Sequence, residues 1–154
     1  MRRRRGNPVL VILMGLTLTV ILVYLFSSIF MGTERKARKV VHAFYEYESA
    51  ADFGRSWELL HTEMQEKFGR GAYVQDRAHV FNGHFGSDTF TFDISGAKER
   101  KNWRMEKEGE AFRSVYEYEV RQDYHGKYGH FVFVQYVYVV REDGEWRIVW
   151  DYKK

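Results

Sequence analysis

Residues 131–140 read FVFVQYVYVV, a run of ten that is rich in β-branched and aromatic side chains and carries no charge. Such a run is typical of a strand buried on both faces, because a strand with one face in water alternates apolar and polar residues. The Asp143-Gly144 pair that follows is typical of a two-residue hairpin turn. We therefore expect a central antiparallel strand over 131–140 and a last strand after the hairpin.

The residues that precede this run have the same period of two. Apolar residues alternate with polar ones over 90–94, which predicts a half-buried strand and directs Asp93 away from the core. Residues 112–120 alternate in the same way, and the charged stretch 98–104 is expected to be an exposed strand or a loop. The second half of the chain therefore predicts about four antiparallel strands.

The residues before position 83 have helical rather than strand spacing. Apolar side chains recur at intervals of three and four over 37–51 and again over 57–68, where we expect two short helices that meet near His61. A further short helix is expected to stop at Asn82-Gly83. About three helices followed by about four strands is an α+β pattern, in which a curved sheet wraps around the helices as a cone.

A transmembrane helix is predicted over 9–31, where 23 residues carry no charge. At 1.5 Å per residue such a helix is about 34 Å long, enough to cross a hydrocarbon core of about 30 Å. A cleaved signal peptide would have a shorter apolar run and small residues before its cleavage site, so a retained anchor is favoured. Gly32-Thr33 is expected to break the helix and to link it to a folded domain over 33–154.

The charge distribution predicts how the chain is oriented. The net charge of +3 arises from the basic tail 1–8, which contains four arginines, whereas residues 33–154 carry 20 basic and 21 acidic side chains. That balance argues against nucleic-acid binding. The tail favours a single-pass protein of the cell membrane with a cytoplasmic N-terminus and an extracytoplasmic domain. Four basic residues after the anchor are expected to contact lipid headgroups or to form the solvated face of a helix: Arg35, Lys36, Arg38 and Lys39.

Three segments carry a resemblance to a known family: ADFGRSWELL at 51–60, MQEKF at 64–68 and DGEWRIV at 143–149. Together with the order of elements they resemble the nuclear-transport-factor-two-like superfamily, in particular its membrane-anchored bacterial members with an extracytoplasmic domain. The resemblance implies a cone-shaped domain. The superfamily contains bridging components of secretion and conjugation machines as well as isomerases, cyclases and dehydratases, so the fold leaves the function open.

The candidate chemistry is sparse. If the cone has an open pocket, its candidate lining residues are Tyr45, Tyr116, Tyr118 and His130, although buried tyrosines commonly serve only to pack their rings. No catalytic residue and no cofactor is predicted. The chain has no cysteine, and no histidine pair has a helical ligand spacing. His125 and His130 flank a turn, but no carboxylate or third histidine is recognised in register with them, so no metal site is predicted.

A sheet face supplies the candidate interface. One side of the 131–140 strand is the predicted surface for a partner or for a homodimer: Phe131, Phe133, Val137 and Val139. The sequence thus predicts a non-catalytic, membrane-tethered interaction or scaffold module of a cell-envelope or transfer complex. The alternative is a pocket protein that binds or isomerises a small apolar molecule. The anchor favours the first, because an enzyme acting on a soluble metabolite gains little from tethering.

Overall fold

The computed structural model describes residues 8–80, 89–127 and 129–152, and over these ranges the predicted α+β class is confirmed. The chain divides into two compact units, Met1–Arg35 and Lys36–Lys154. In chain order the elements are α1 (Pro8–Ser49), α2 (Phe53–Glu58), α3 (Thr62–Lys67), α4 (Arg70–Ala78), β1 (Phe90–Ile94), β2 (Lys98–Arg104), β3 (Ala111–Gly126), β4 (Gly129–Glu142) and β5 (Glu145–Val149).

Helix α1 is continuous through Gly32 and Thr33, so the predicted break there is wrong. A single glycine inside a helix costs only about 1 kcal/mol relative to alanine and does not end the helix by itself. Over the described residues, none of the helices combines the length and the apolar character that crossing a bilayer requires. Part of the predicted span 9–31 lies outside the residues whose side chains are described. The transmembrane helix therefore stays a prediction.

The two short helices expected around His61 are confirmed. Helix α2 ends at Glu58 and α3 begins at Thr62. His61 is the N-cap of α3, where its Nδ1 accepts a hydrogen bond from the Glu63 N–H at 3.2 Å. Helix α4 is the third short helix expected, and its predicted end at Asn82-Gly83 lies outside the described residues.

The sheet is antiparallel, in the order β1-β3-β4-β5. Strand β2 pairs with residues 111–117 of β3, and β1 pairs with residues 120–124 on the same edge of that strand. The charged stretch 98–104 is therefore a strand, and the described sheet has five strands rather than about four. The predicted central strand is confirmed as β4, between β3 and β5. The predicted turn is confirmed too, with φ of +49° at Asp143 and +86° at Gly144.

Contacts from the helical segments secure two edges of the sheet. The link between α2 and α3 pairs with β5: the His61 N–H donates to the Ile148 carbonyl at 3.0 Å, and the Ile148 N–H donates to the Leu59 carbonyl at 2.9 Å. On the other side, the Arg38 guanidinium of α1 donates to the carbonyls of Ile94 and Ser95 at 2.7 and 2.5 Å. The inner face of the sheet is thereby held against α1, and a polar network lies between them.

Candidate functional site

A buried carboxylate is the most unusual feature of the domain. The side chain of Glu48 on α1 has no exposed surface, and it accepts hydrogen bonds from Ser56 Oγ, from Tyr73 Oη at 2.8 Å and from Arg77 Nε at 2.7 Å. Arg77 also donates through Nη2, so the guanidinium binds the carboxylate through two nitrogens. A buried charge is tolerated only when it is paired and hydrogen-bonded, and both conditions are met here.

A second set of hydrogen bonds joins α1 to the inner face of the sheet. Tyr45 Oη, one turn before Glu48, donates to Gln135 Oε1 at 3.0 Å. The same oxygen lies 3.4 Å from Gln122 Nε2, and Gln122 Oε1 accepts from Tyr124 Oη at 2.8 Å. These bonds fix the register of α1 against β3 and β4, because hydrogen-bond partners, unlike apolar contacts, cannot be exchanged for their neighbours.

The electrostatics of this network keep its tyrosines protonated. Burial raises the pKa of Tyr45 well above its ordinary value, and the Arg77 charge only partly opposes that. Burial likewise raises the pKa of Tyr73 and of Tyr124. For Arg77, burial works to lower the pKa, but the adjacent Glu48 carboxylate raises it overall. None of these four groups changes its protonation near neutral pH, which a general acid or base would need to do.

The buried polar groups of the network find their hydrogen-bond partners within the network itself. Among the described residues, no buried side-chain nitrogen or oxygen lacks a hydrogen-bond partner. A binding pocket would instead present polar groups that converge on a cavity and await a ligand. Sequence reasoning missed Glu48, although the residue falls four positions after Phe44 on the buried stripe of α1. A charged residue on that stripe was the available indication.

The pocket candidates divide between two places. Tyr45, Tyr116 and Tyr118 are buried, and the alternation of β3 puts the latter two on the same face as Gln122. Tyr116 packs beside Trp146 with ring centroids 5.6 Å apart. His130 lies elsewhere, exposed near the end of the β3–β4 hairpin. Tyr116 and Tyr118 thus lie on the inner face of the sheet, and Tyr45 of α1 bonds to that face through Gln135. His130 does not belong with them.

The basic residues proposed for headgroup contact also divide. Arg35, Lys36 and Lys39 are exposed, whereas the Arg38 guanidinium is engaged with the carbonyls at the end of β1. A groove of about 490 Å³ runs beside it, lined by Arg38, His42 and Glu46 of α1 and by all of β1. The groove is distinct from the Glu48 network.

The residues proposed for the interface are mostly inside the domain. Val137 and Val139 have no exposed surface, because the face they share is the one that packs on α1. Phe131 stacks on Tyr124, with ring centroids 5.1 Å apart and planes within 5°. Only Phe133 is substantially exposed. The prediction is corrected because the chosen face of β4 is the inner face of the sheet, which is covered at Val137 and Val139.

The first half of β4, rather than the face chosen from the sequence, is the exposed part of the strand. Strand β5 pairs only with residues 138–142 of β4, so residues 129–137 have β3 on one side and no described strand on the other. Three apolar side chains on this segment are exposed, Phe133 by 49%, Val134 by 44% and Tyr136 by 49%. Tyr136 Oη donates to Glu119 Oε2 at 3.0 Å. We refer to residues 129–137 as the open edge.

No protein-family model matches the chain, and a search of curated proteins also gives no match. The resemblance to the nuclear-transport-factor-two-like superfamily stays a prediction. The function therefore rests on the geometry of the domain.

Proposed function

We propose that this chain is a single-pass membrane-anchored protein whose domain, Lys36–Lys154, is a non-catalytic protein-interaction module outside the cytoplasm, as part of a cell-envelope or transfer complex. The observation that carries the interaction role is the open edge of β4. Its occupant is a partner strand, supplied by another protein of the complex or by a second copy of this chain.

The open edge has the properties of a docking strand. An edge strand presents unpaired backbone N–H and C=O groups, and proteins normally protect such edges with charges, bulges or covering segments. Here β2 is protected by its charged side chains, and β5 is covered by the link between α2 and α3. The open edge has neither protection within the described structure, and residues 131–137 carry no charge. An added strand would pair with the backbone of residues 132–137 on the side away from β3 and cover the exposed side chains.

The anchor is supported by the sequence 9–31 and by the side chains described within it. The large apolar side chains from Val9 to Leu25 whose placement is described are each more than half exposed. Burying one such side chain is worth about 1.5–3 kcal/mol, so a helix that exposes a dozen of them in water is strongly disfavoured. A bilayer removes that cost, and the four arginines at the N-terminus favour a cytoplasmic tail.

The interior supports a non-catalytic role. Its buried polar groups are engaged within the domain, because Glu48 of α1 binds Arg77 of α4 and Tyr45 of α1 binds Gln135 of β4. They are therefore not free to bind a substrate. The alternative, a pocket for a small apolar ligand, requires an interior polar group that awaits such a ligand. The described interior offers none. The groove beside Arg38 is lined by charged as well as apolar groups and suits an apolar ligand poorly.

Cysteine labelling tests the anchor and its orientation, because the chain has no native cysteine. We would introduce Asn7→Cys and Glu108→Cys separately into the full chain and treat intact spheroplasts with a membrane-impermeant maleimide. Glu108→Cys should be labelled at once, and Asn7→Cys only after lysis. The reverse pattern would refute the orientation, and recovery of the chain without membranes would refute the anchor.

Photo-crosslinking tests the interaction role. A benzoylphenylalanine placed at Tyr136 in the full chain, in its native membrane, should give one discrete adduct. The same group at Tyr47, a half-buried tyrosine on α1, serves as the matched control and should give none. An adduct of twice the chain mass identifies a second copy, and another mass identifies a different protein. Val134→Lys, which places a charge on the edge, should abolish the adduct. Absence of an adduct at Tyr136, or equal adducts at both positions, would refute the interaction role.

A further inference from the structure

Three side chains that commonly bind metals meet near the end of the β3–β4 hairpin: Asp123, His125 and His130. Their ligand atoms all lie within 4.8 Å of one another. His125 and His130 are cross-strand partners, and Asp123 lies two residues before His125 on the same face of β3. The hairpin therefore supplies a carboxylate in register with the two histidines, which the sequence prediction lacked.

The distances suit a single ion. His130 Nε2 lies 2.6 Å from Asp123 Oδ1, and His125 Nδ1 lies 3.6 Å from the same oxygen. Two ligand atoms on a tetrahedral zinc ion, each bonded at about 2.1 Å, are separated by about 3.4 Å. The observed separations bracket that value, so rotation of exposed side chains brings all three atoms onto one ion without moving the strands.

The site is held by the sheet rather than by a loop. Cross-strand pairing continues past the two histidines to Gly126 and Gly129. The imidazole rings are stacked, with centroids 4.6 Å apart and planes within 24°. Both rings therefore lie on the same side of the hairpin. Ligands fixed on paired strands lose little freedom when an ion binds, which favours binding.

We propose that Asp123, His125 and His130 bind one divalent transition-metal ion through two imidazole nitrogens and one carboxylate oxygen, with water in the remaining positions. Imidazole ligands select zinc, copper, nickel or iron over calcium and magnesium, which prefer oxygen alone. In the absence of an ion, His130 Nε2 is hydrogen-bonded to Asp123 Oδ1. A bound ion would take the place of that hydrogen bond. The metal site shares His130 with the open edge, but the proposal depends neither on the membrane anchor nor on a partner strand at that edge.

Titration of the full chain in detergent, produced without a polyhistidine tag, tests this site. Calorimetry with Zn²⁺ should give one ion per chain, and Co²⁺ should give visible d–d absorption that Zn²⁺ displaces. His125→Gln and His130→Gln, on opposite strands of the hairpin, should each weaken binding by about tenfold or more, since even loss of an outer-shell partner costs about 10- to 100-fold. Asp123→Asn should weaken it as well.

His42→Gln is the matched control, because His42 also lies beside a carboxylate, with Nδ1 3.3 Å from Glu46 Oε2. Among the described residues, that pair belongs to no group of three possible metal ligands. This variant should bind as the unmodified chain does. Far-UV circular dichroism verifies that each variant is folded, and should His130→Gln fail that check, the more exposed His125→Gln decides. Absence of saturable binding, or binding that both histidine variants retain, would overturn the proposal.

Discussion

Replacing Arg77 by methionine isolates the energetic role of the buried network. The substitution removes the guanidinium from Glu48, whose side chain is fully buried, and leaves only the hydroxyls of Ser56 and Tyr73 on the carboxylate. Breaking a buried ion pair by removing one partner costs about 3–5 kcal/mol. Because 28% of the Arg77 side chain is exposed, water enters to replace part of the interaction, and we expect about 3 kcal/mol.

Tryptophan fluorescence during urea unfolding measures this loss in the full chain. All four tryptophans lie in the unit Lys36–Lys154, so the signal reports on that unit alone: Trp57, Trp103, Trp146 and Trp150. With a urea dependence of about 2 kcal/mol per molar, a loss of 3 kcal/mol lowers the midpoint by about 1.5 M.

Arg70→Met is the matched control for Arg77→Met, because both arginines lie on α4 and both contact a glutamate. Arg70 Nη2 lies 3.4 Å from Glu58 Oε1, but both side chains are more than half exposed, so its loss should cost less than about 1 kcal/mol. Should the two substitutions lower the midpoint equally, the Glu48 pair contributes no more than a surface pair and the reasoning fails. Replacing both Glu48 and Arg77 by methionine should cost less than the sum of the two single changes.

The remaining predictions concern the edge of the sheet, alkaline pH and the last turn. Arg38→Met removes two hydrogen bonds to carbonyls at the end of β1 and should cost about 1–2 kcal/mol. Amide exchange should accelerate in β1, and acceleration in every strand alike would contradict this. Because burial raises the pKa of Tyr45, Tyr73 and Tyr124, the folded state retains protons that the unfolded chain releases above about pH 10. The free energy of unfolding should therefore keep its full value below that pH and fall above it by about 1.4 kcal/mol per pH unit for each tyrosine. Urea midpoints measure this, and a midpoint that stays constant above about pH 10 would contradict the prediction. Gly144→Ala places a side chain at a φ of +86° and should cost about 1 kcal/mol in thermal unfolding, and an unchanged transition would count against that strain.

Local patterns predicted the order of elements well. The strand over 90–94, the uncharged strand over 131–140 and the helix break near His61 each depend on residues close in sequence, where period and turn chemistry act directly. The continuous helix through Gly32 was missed because a break was inferred from one unfavourable residue, whereas the hydrogen bonds of a long helix outweigh it.

The sites were harder to predict, because they depend on register between segments distant in sequence. Nothing local indicates that Glu48 meets Arg77, which lies 29 positions later. Which face of the sheet packs on the helices is likewise not encoded locally. Val137 and Val139, predicted to lie on a surface, are in fact in the core. Asp123 is predictable from the sequence, since a residue two positions before His125 lies on the same face of any strand.

The pairing between the α2–α3 link and β5 has a consequence for how long the domain stays folded. The Arg147 guanidinium donates to the Glu58 carbonyl at 2.7 Å, closing a separation of 89 residues. Closing a long loop costs chain entropy, because two segments distant in sequence must be brought together. We therefore expect this contact to form after the folding transition state. Weakening it should leave the folding rate nearly unchanged and accelerate unfolding. This pairing would then govern how long the domain stays folded rather than how fast it folds.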